Sequence, residues 1–558
     1  MPDSEGPAQT TSLLARWSER DPVPVALEPE PLPTKGPRNR RRPSHRRSHR
    51  RRNRILLGVC AALLLLVASG AAYVEYLNHE INRLKVGSLE TQTNGTENIL
   101  LVGSTTRCGL SHQNAAFGLC SQGVTGVNSD VVMLLHLDPN KNTAAILSIP
   151  RDLFIPNART TGANKIDAAL YQGPTQLVSA IEEDFGIPIH HYVELNFDSF
   201  QGVVDALGGV KMYFPMPLYD GYSQLNIPTA GCRQLNGFET LALVRARHLQ
   251  YKPPGVTTSY HGYWPYDPQS DLSRIRRDHE FLRVLAAQVS QRGLSNPLTD
   301  RSIASAVAPQ LQVDDKLSLT DLVSLALTFH SVNPGTAPQW TMPVLVHSGL
   351  DYYYQGYDYG SVELPSEPQD RDIVRQFLGV GAGTSTQTGK PLPSPSSVSV
   401  SVLNGSGVYN AASRTAGELQ ALGFNVVSTG DATRTSSSAD SETIVYYASN
   451  NSDAQERAEA VAQAMSGAVV MAVGPTSGGA QVTVVTGTDF AVNAPTSAAP
   501  ATSGPATTAA GGAKAGVPAT TTTTTGPVSR TLGTPTSSSQ SLAPFDPRSC
   551  TPSGGEGP

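Results

Sequence analysis

Cysteine is scarce in this chain. Five occur in 558 residues and no two form a CxxC pair, which removes the usual cysteine zinc sites from consideration. No helix-turn-helix pattern is visible, and no aromatic residue interleaves the ten arginines of Arg38–Arg54, so the basic tract does not read as a nucleic-acid-binding surface. Charge is absent altogether from Ile55–Val74. Twenty residues rising about 1.5 Å each span the roughly 30 Å apolar core of a bilayer. A cleaved signal peptide has a shorter apolar core nearer the N-terminus.

Charge is spread unevenly. Residues 1–54 carry thirteen Lys/Arg against six Asp/Glu, a balance of +7 in a chain whose formal total is −5, leaving −12 for the rest. A basic start before an apolar span predicts one transmembrane helix at 55–74 in the cell membrane. Residues 1–54 are then a disordered cytoplasmic tail touching anionic lipid, with everything after Val74 outside the cytoplasm. The cysteines fit that placement. Cys60 lies in the span, while Cys108 and Cys120 bracket a short loop and are candidates for a disulfide contributing about 3 kcal/mol. Cys232 and Cys550 have no evident partners.

What is present centres on Asn128–Asp152. Two apolar runs, Val131–Leu137 and Thr143–Ile149, flank a turn-rich Asp138-Pro139-Asn140-Lys141-Asn142, the signature of a β-hairpin. Asp130 and Arg151 are equidistant from the turn, so antiparallel pairing returns them to one end of the sheet. Pro150 ends the second strand just before them. Taken alone, the pair reads equally as a surface ion pair closing a hairpin.

The surrounding pattern is α/β. A stalk at 75–97 leads to a buried strand, Asn98–Gly103. Pro174–Phe185 is helical, with Leu177, Val178, Ile181 and Phe185 on one face and Gly186 as a stop. Strands at His191–Phe197 and Val210–Phe214 enclose a helix at Ser199–Leu207. Asn236-Gly237-Phe238-Glu239 is a capping box opening a short helix. If Val244–His248 is a strand, Arg245 and Arg247 share a face; Arg274 and Arg277 share one on the following helix. The folded part extends to 375, a linker occupies 376–397, and a small α/β domain 398–490. Residues 491–558, rich in Thr, Ser, Pro, Ala and Gly, form a disordered tail.

Asn98–Gly103, Asn128–Asp152, Lys165-Ile166-Asp167-Ala168-Ala169, Tyr192–Gly209 and Val244–Arg277 together resemble the LytR-CpsA-Psr family of bacterial cell-wall ligases. Residues 398–490, through Val402-Leu403-Asn404-Gly405-Ser406-Gly407, resemble the LytR C-terminal domain. The resemblance implies that 98–375 is a three-layer catalytic domain, with a mixed central sheet flanked by helices and an apolar tunnel for a lipid tail. It implies a phosphotransferase that joins a polyprenyl-pyrophosphate-linked glycopolymer to a muramic-acid hydroxyl of peptidoglycan, releasing polyprenyl phosphate, with pyrophosphatase action as a side activity. The Ala/Arg/Pro/Thr-rich composition suits a high-GC Gram-positive source, for which the resemblance implies arabinogalactan as the polymer.

Residue by residue, the resemblance assigns Asp130 and, as a weaker ligand, Thr105 to a Mg²⁺ or Mn²⁺ ion. It assigns Asp130, Arg151, Arg245 and Arg247 to catalysis, and Arg107, Arg151, Arg245, Arg247, Arg274 and Arg277 to the pyrophosphate. Two guanidiniums about 7 Å apart repel by roughly 2 kcal/mol at an effective dielectric of 20, so several converging on one pocket call for an anion among them. Two departures stand out. Thr105 occupies a position where the family carries a metal-holding Asp, and a hydroxyl is a weaker ligand; Asp278 replaces a Gln. Thr105 favours a second reading, a non-catalytic module binding polyprenyl lipid or wall polymer. The C-terminal domain shows no acid/base set and reads as a binding or spacing module.

Overall fold

The structure, a computed structural model, describes residues 65, 68–92, 95–110, 114–115, 118–292, 305–322, 324–325, 337–347, 351–433, 440–449, 451–494, 536, 541–551 and 555. The expected span at 55–74 and the cytoplasmic tail lie for the most part outside these residues. Among the described residues no helix is long and apolar enough to cross a membrane.

Seven strands build the central sheet: β1 (Asn82–Leu84), β2 (Glu97–Ser104), β3 (Ser129–Asp138), β4 (Thr143–Ile149), β5 (His191–Leu195), β6 (Gln312–Asp314) and β7 (Gln339–Thr341). Their order is β1-β6-β5-β2-β3-β4-β7, and the sheet is mixed. β2 and β3, and β3 and β4, pair antiparallel, whereas β2 and β5 run parallel. β1 corrects an expectation, since the stalk at 75–97 supplies an edge strand paired to β6. Leu77 and Ile81 beside it are buried with Val313 and Leu317, so this stretch belongs to the domain.

One face of the sheet presents Leu100, Val102, Val132, Leu134 and Leu147 to α1 (Pro174–Phe185), whose Leu177, Val178, Ile181 and Phe185 meet them. Residues alternate across a strand, so the other face presents Leu101, Val131 and Met133. These confront α2 (Phe197–Ala206), α3 (Gly237–Val244) and α4 (Ser270–Arg292). The result is helix, sheet, helix.

α5 (Gln369–Leu378) buries Phe377 in the sheet core, so the domain continues past the expected boundary at 375. The expected linker at 376–397 is partly packed, with Ser385 and Thr386 buried. The main sheet of the C-terminal domain has five strands, β8 (Ser399–Asn404), β9 (Asn425–Asp431), β10 (Thr443–Tyr447), β11 (Val469–Val473) and β12 (Val482–Thr486), in the order β9-β8-β12-β10-β11. Val400, Val402, Val445, Val482 and Val484 pack on α6 (Ala411–Ala421) and α7 (Ser452–Ala462). It docks on the first domain through Tyr447, whose hydroxyl donates to the Glu183 carbonyl at 2.9 Å, and an Arg371–Glu459 ion pair at 3.5 Å.

The expectation of disorder fails for the last residues. Arg548–Ser549 form β13, paired with the strand Val210–Phe214, and Cys550 is disulfide-bonded to Cys232. Phe545 is buried and stacks on Tyr251 at 4.3 Å. The two cysteines without evident partners pair with each other. Cys108 and Cys120 pair as expected.

Candidate active site

The β3–β4 register places the site. Val132 faces Ile149, and extending that register by two residues brings Asp130 opposite Arg151. The Arg151 guanidinium donates to Asp130 and lies 3.6 Å from Asp152 and 3.8 Å from Asp271. Pro150 cannot join the ladder, so backbone peels away here and leaves room above the sheet edge.

The remaining arginines arrive from the opposite layer. Asn236 accepts from the Glu239 N–H and Glu239 accepts from the Asn236 N–H, the expected capping box at the start of α3. The helix runs on to Val244, so Arg245 is its C-cap and Arg247 lies in the following turn. The expected strand is absent, and a helix exit rather than strand alternation delivers the two side chains. Arg247 reaches Asp152 at 3.1 Å and Asp271 at 3.0 Å. Arg245 lies 3.8 Å from Asp130, with its guanidinium carbon 4.5 Å from the Phe197 ring centroid, a cation–π contact. Arg274, on the first turns of α4, pairs with Asp271 at 3.1 Å and donates to the Asp130 carbonyl.

Two cavities meet at these residues. One, about 200 Å³, is lined by Arg107, Asp130, Arg151, Arg245, Arg247, Arg274, Tyr222, Ser223 and His248. The other, about 170 Å³, is apolar, lined by Leu101, Met133, Val193, Phe200, Phe281 and their neighbours. Asp130, Arg245 and Arg274 line both. A charged basin thus opens onto an apolar chamber. Lys165, 3.1 Å from Asp152, adds to the positive side. Five guanidiniums and this ammonium surround the carboxylates of Asp130, Asp152 and Asp271, an excess of cationic groups suited to a polyanion.

Electrostatics follow from that excess. Burial raises the Asp130 carboxyl, but Arg151, Arg274, Arg245 and Arg247 outweigh it and hold it below the usual range. Burial, with repulsion from Arg107, Arg274 and Arg151, lowers Arg245. Asp278 behaves oppositely. Burial pushes it up to about 8 against the pull of Arg274 and Arg277, and as a neutral acid it lines the apolar chamber.

Arg107 reaches the basin wall, donating to the Thr105 carbonyl at 2.7 Å. The Thr105 hydroxyl accepts from the Asn128 N–H at 2.9 Å and tethers the β2 and β3 ends to each other. Arg277 is a correction. It is fully buried, ion-paired with Asp267 at 2.8 Å and 3.7 Å from Asp546, and it lines neither cavity. Its helical face points inward because α4 packs there. Asp152, Lys165, Tyr222, Ser223 and His248 lay outside the assigned set. The first two sit within or beside the hairpin and Lys-Ile-Asp motifs, whereas no local pattern marks the others.

The LytR_cpsA_psr family matches residues 65–366, and residues 397–490 match a family described as LytR cell envelope-related transcriptional attenuator. The chain is 30% identical over 317 residues to a probable cell wall biosynthesis protein, LcpB, of Corynebacterium glutamicum, covering 56% of this chain and 68% of that one. It is 26% identical over 462 residues to the same organism's cell wall biosynthesis protein LcpA, covering 74% and 82%. A 121-residue stretch is 34% identical to the polyisoprenyl-teichoic acid–peptidoglycan teichoic acid transferase TagU of Bacillus subtilis, covering 21% and 38%. The first match spans more than half of the sequence, and this chain belongs to the LytR-CpsA-Psr family.

Proposed function

We propose that the protein is a membrane-anchored, extracytoplasmic phosphotransferase that joins a polyprenyl-pyrophosphate-linked glycopolymer, arabinogalactan in our reading, to peptidoglycan. The observation that carries this reading is the sharing of Asp130, Arg245 and Arg274 by an arginine-lined basin and an apolar chamber. A prenyl pyrophosphate has the same two halves. Its anionic head suits the basin and its tail the chamber.

The acceptor hydroxyl attacks the phosphorus bonded to the sugar, forming a new P–O bond as the bridging P–O bond breaks. Polyprenyl phosphate leaves with that electron pair and takes up the hydroxyl proton, because Asp130, held below the carboxylate range by its arginines, is a poor base. The arginines neutralise charge on the equatorial oxygens, which is the main demand of phosphoryl transfer. Among the described residues no group of three or more His, Cys, Asp or Glu could hold a metal. A single carboxylate fits Mg²⁺ or Mn²⁺ if substrate oxygens complete the shell, with Asp130 as the protein's ligand. The ion, when bound, supplies further neutralisation of the pyrophosphate.

Full-length protein in detergent, given a polyprenyl-pyrophosphate glycan donor, peptidoglycan and Mg²⁺, tests this. Transfer with release of polyprenyl phosphate, lost in Asp130→Ala and Arg151→Ala, is expected. Donor binding without transfer under Mg²⁺ or Mn²⁺ would overturn it in favour of a polymer-binding scaffold, the reading that the Thr105 hydroxyl's engagement with Asn128 favours.

A further inference from the structure

Among the described residues the C-terminal domain carries helices on one face of its sheet only. The opposite face presents Leu403, Ile444, Tyr446 and Val485, and the hairpin Tyr353–Asp358 of the first domain approaches it. Between them lies a cavity of about 220 Å³, also lined by Gln355, Thr483 and Thr486. It is distant in sequence from every residue of the arginine basin.

Two of its polar groups are unsatisfied. Glu442 is 2% exposed and Thr486 fully buried, yet both Glu442 carboxyl oxygens and the Thr486 hydroxyl have no hydrogen-bond partner among the described residues. Leaving a buried polar group unpaired is costly, so such groups in a roomy cavity ask for an occupant. Burial, reinforced by Asp440, raises the Glu442 carboxyl well above its ordinary value, which favours the protonated acid, a group with one donor and one acceptor. Among the described residues no lysine or arginine lines the cavity, which disfavours an anion. Tyr354 from one domain and Tyr446 from the other supply aromatic surface.

Groups that both donate and accept, beside aromatic faces and without cationic charge, match a sugar ring, whose hydroxyls do the same and whose C–H faces pack on aromatics. We propose that this cavity is a glycan subsite, holding one neutral sugar residue beside Tyr354 and Tyr446, with its hydroxyls hydrogen-bonded to Glu442 and Thr486. It gives the chain a grip on polymer that does not depend on the pyrophosphate chemistry.

Full-length protein in detergent, titrated with an arabinofuranose tetrasaccharide, an N-acetylglucosamine tetrasaccharide and n-butylamine, tests this by calorimetry and saturation-transfer NMR. Binding of at least one saccharide is expected, and which one binds tells whether wall polymer or peptidoglycan supplies the sugar. Glu442→Gln keeps a donor and an acceptor and should bind within about threefold of the parent. Glu442→Leu and Thr486→Val should each weaken binding by about tenfold, one lost hydrogen bond of about 1.4 kcal/mol. Thr486→Val preserves shape, so it remains informative if Glu442→Leu does not fold. No saccharide binding, as in a cavity that holds only water, overturns the proposal. So does binding unchanged in Thr486→Val, or butylamine binding lost in Glu442→Gln, which would mark an ammonium site.

Discussion

Arg277 donates to the carbonyl oxygen of Ala246, the residue between Arg245 and Arg247. A fully buried guanidinium thus fixes the turn that aims two basin arginines, and Asp267 and Asp546 hold that guanidinium in place. Arg277 acts by positioning, at one remove from the anion.

Replacing it tests that role. Arg277→Lys keeps the charge but lacks the planar fork that reaches Asp267 and Ala246 together. Thermal stability should fall by about 3–5 kcal/mol, the usual cost of breaking a buried pair. Affinity for inorganic pyrophosphate should fall as well, measured by calorimetry at a temperature where the variant is folded. A destabilised variant with unchanged pyrophosphate affinity would show that the Ala246 contact has no bearing on the basin.

The C-terminal strap makes a second prediction. Asp546 is fully buried and pairs with Arg276 at 2.6 Å. Asp546→Asn leaves two buried arginines short of a counter-charge and should lower stability by about 3–5 kcal/mol. Asp372→Asn, half exposed beside Arg375, should cost under about 1 kcal/mol. Denaturant melts of the two variants side by side would decide whether the tail is an integral part of the domain.

Asp130 supplies a third. It competes with an incoming anion for Arg151 and Arg245. Asp130→Asn should therefore bind metal-free inorganic pyrophosphate more tightly than the parent, by several-fold, while losing the gain that Mg²⁺ brings. Titrations with and without Mg²⁺ separate the two effects. Weaker metal-free binding would mean that Asp130 orders the arginines more than it competes with substrate.

Much of this was legible in the chain. The hairpin turn fixed the pairing of Asp130 with Arg151 by symmetry, and the capping box at Asn236 marked where α3 starts. Where α3 ends was less legible. Arg245 and Arg247 alternate as on a strand, but helix continuation and the Arg277–Ala246 contact, distant in sequence, decide their path. Arg274 and Arg277 share the i, i+3 relation, and only packing separates a basin arginine from a buried one. The tail was hidden by its composition. A few residues around Phe545, Asp546 and Cys550 dock against Tyr251, Arg276 and Cys232, and a long Thr/Ser/Pro-rich run dilutes their signal.

The last prediction concerns pH. Glu182, near the C-terminal end of α1, is buried, and its Oε1 accepts from the Ile189 N–H at 3.0 Å. Burial pushes its carboxyl from the ordinary 4.5 up to about 8, and the neighbouring Glu90 and Glu183 add to the rise, outweighing the Ile189 hydrogen bond. The folded state therefore holds this proton more tightly than the unfolded chain does. Stability associated with Glu182 is fully present below about 4.5, declines as pH rises through the interval, and stays low above about 8. Each unit of raised pKa corresponds to about 1.4 kcal/mol, so the decline is on the order of a few kcal/mol. Glu182→Gln keeps an acceptor for Ile189 and cannot ionise. Its melting temperature should match the parent's near pH 5 and exceed it at pH 8. Equal slopes for the two proteins across that range would mean that the folded chain admits the Glu182 charge without cost, through water or a shift of the α1 C-terminus against the second domain.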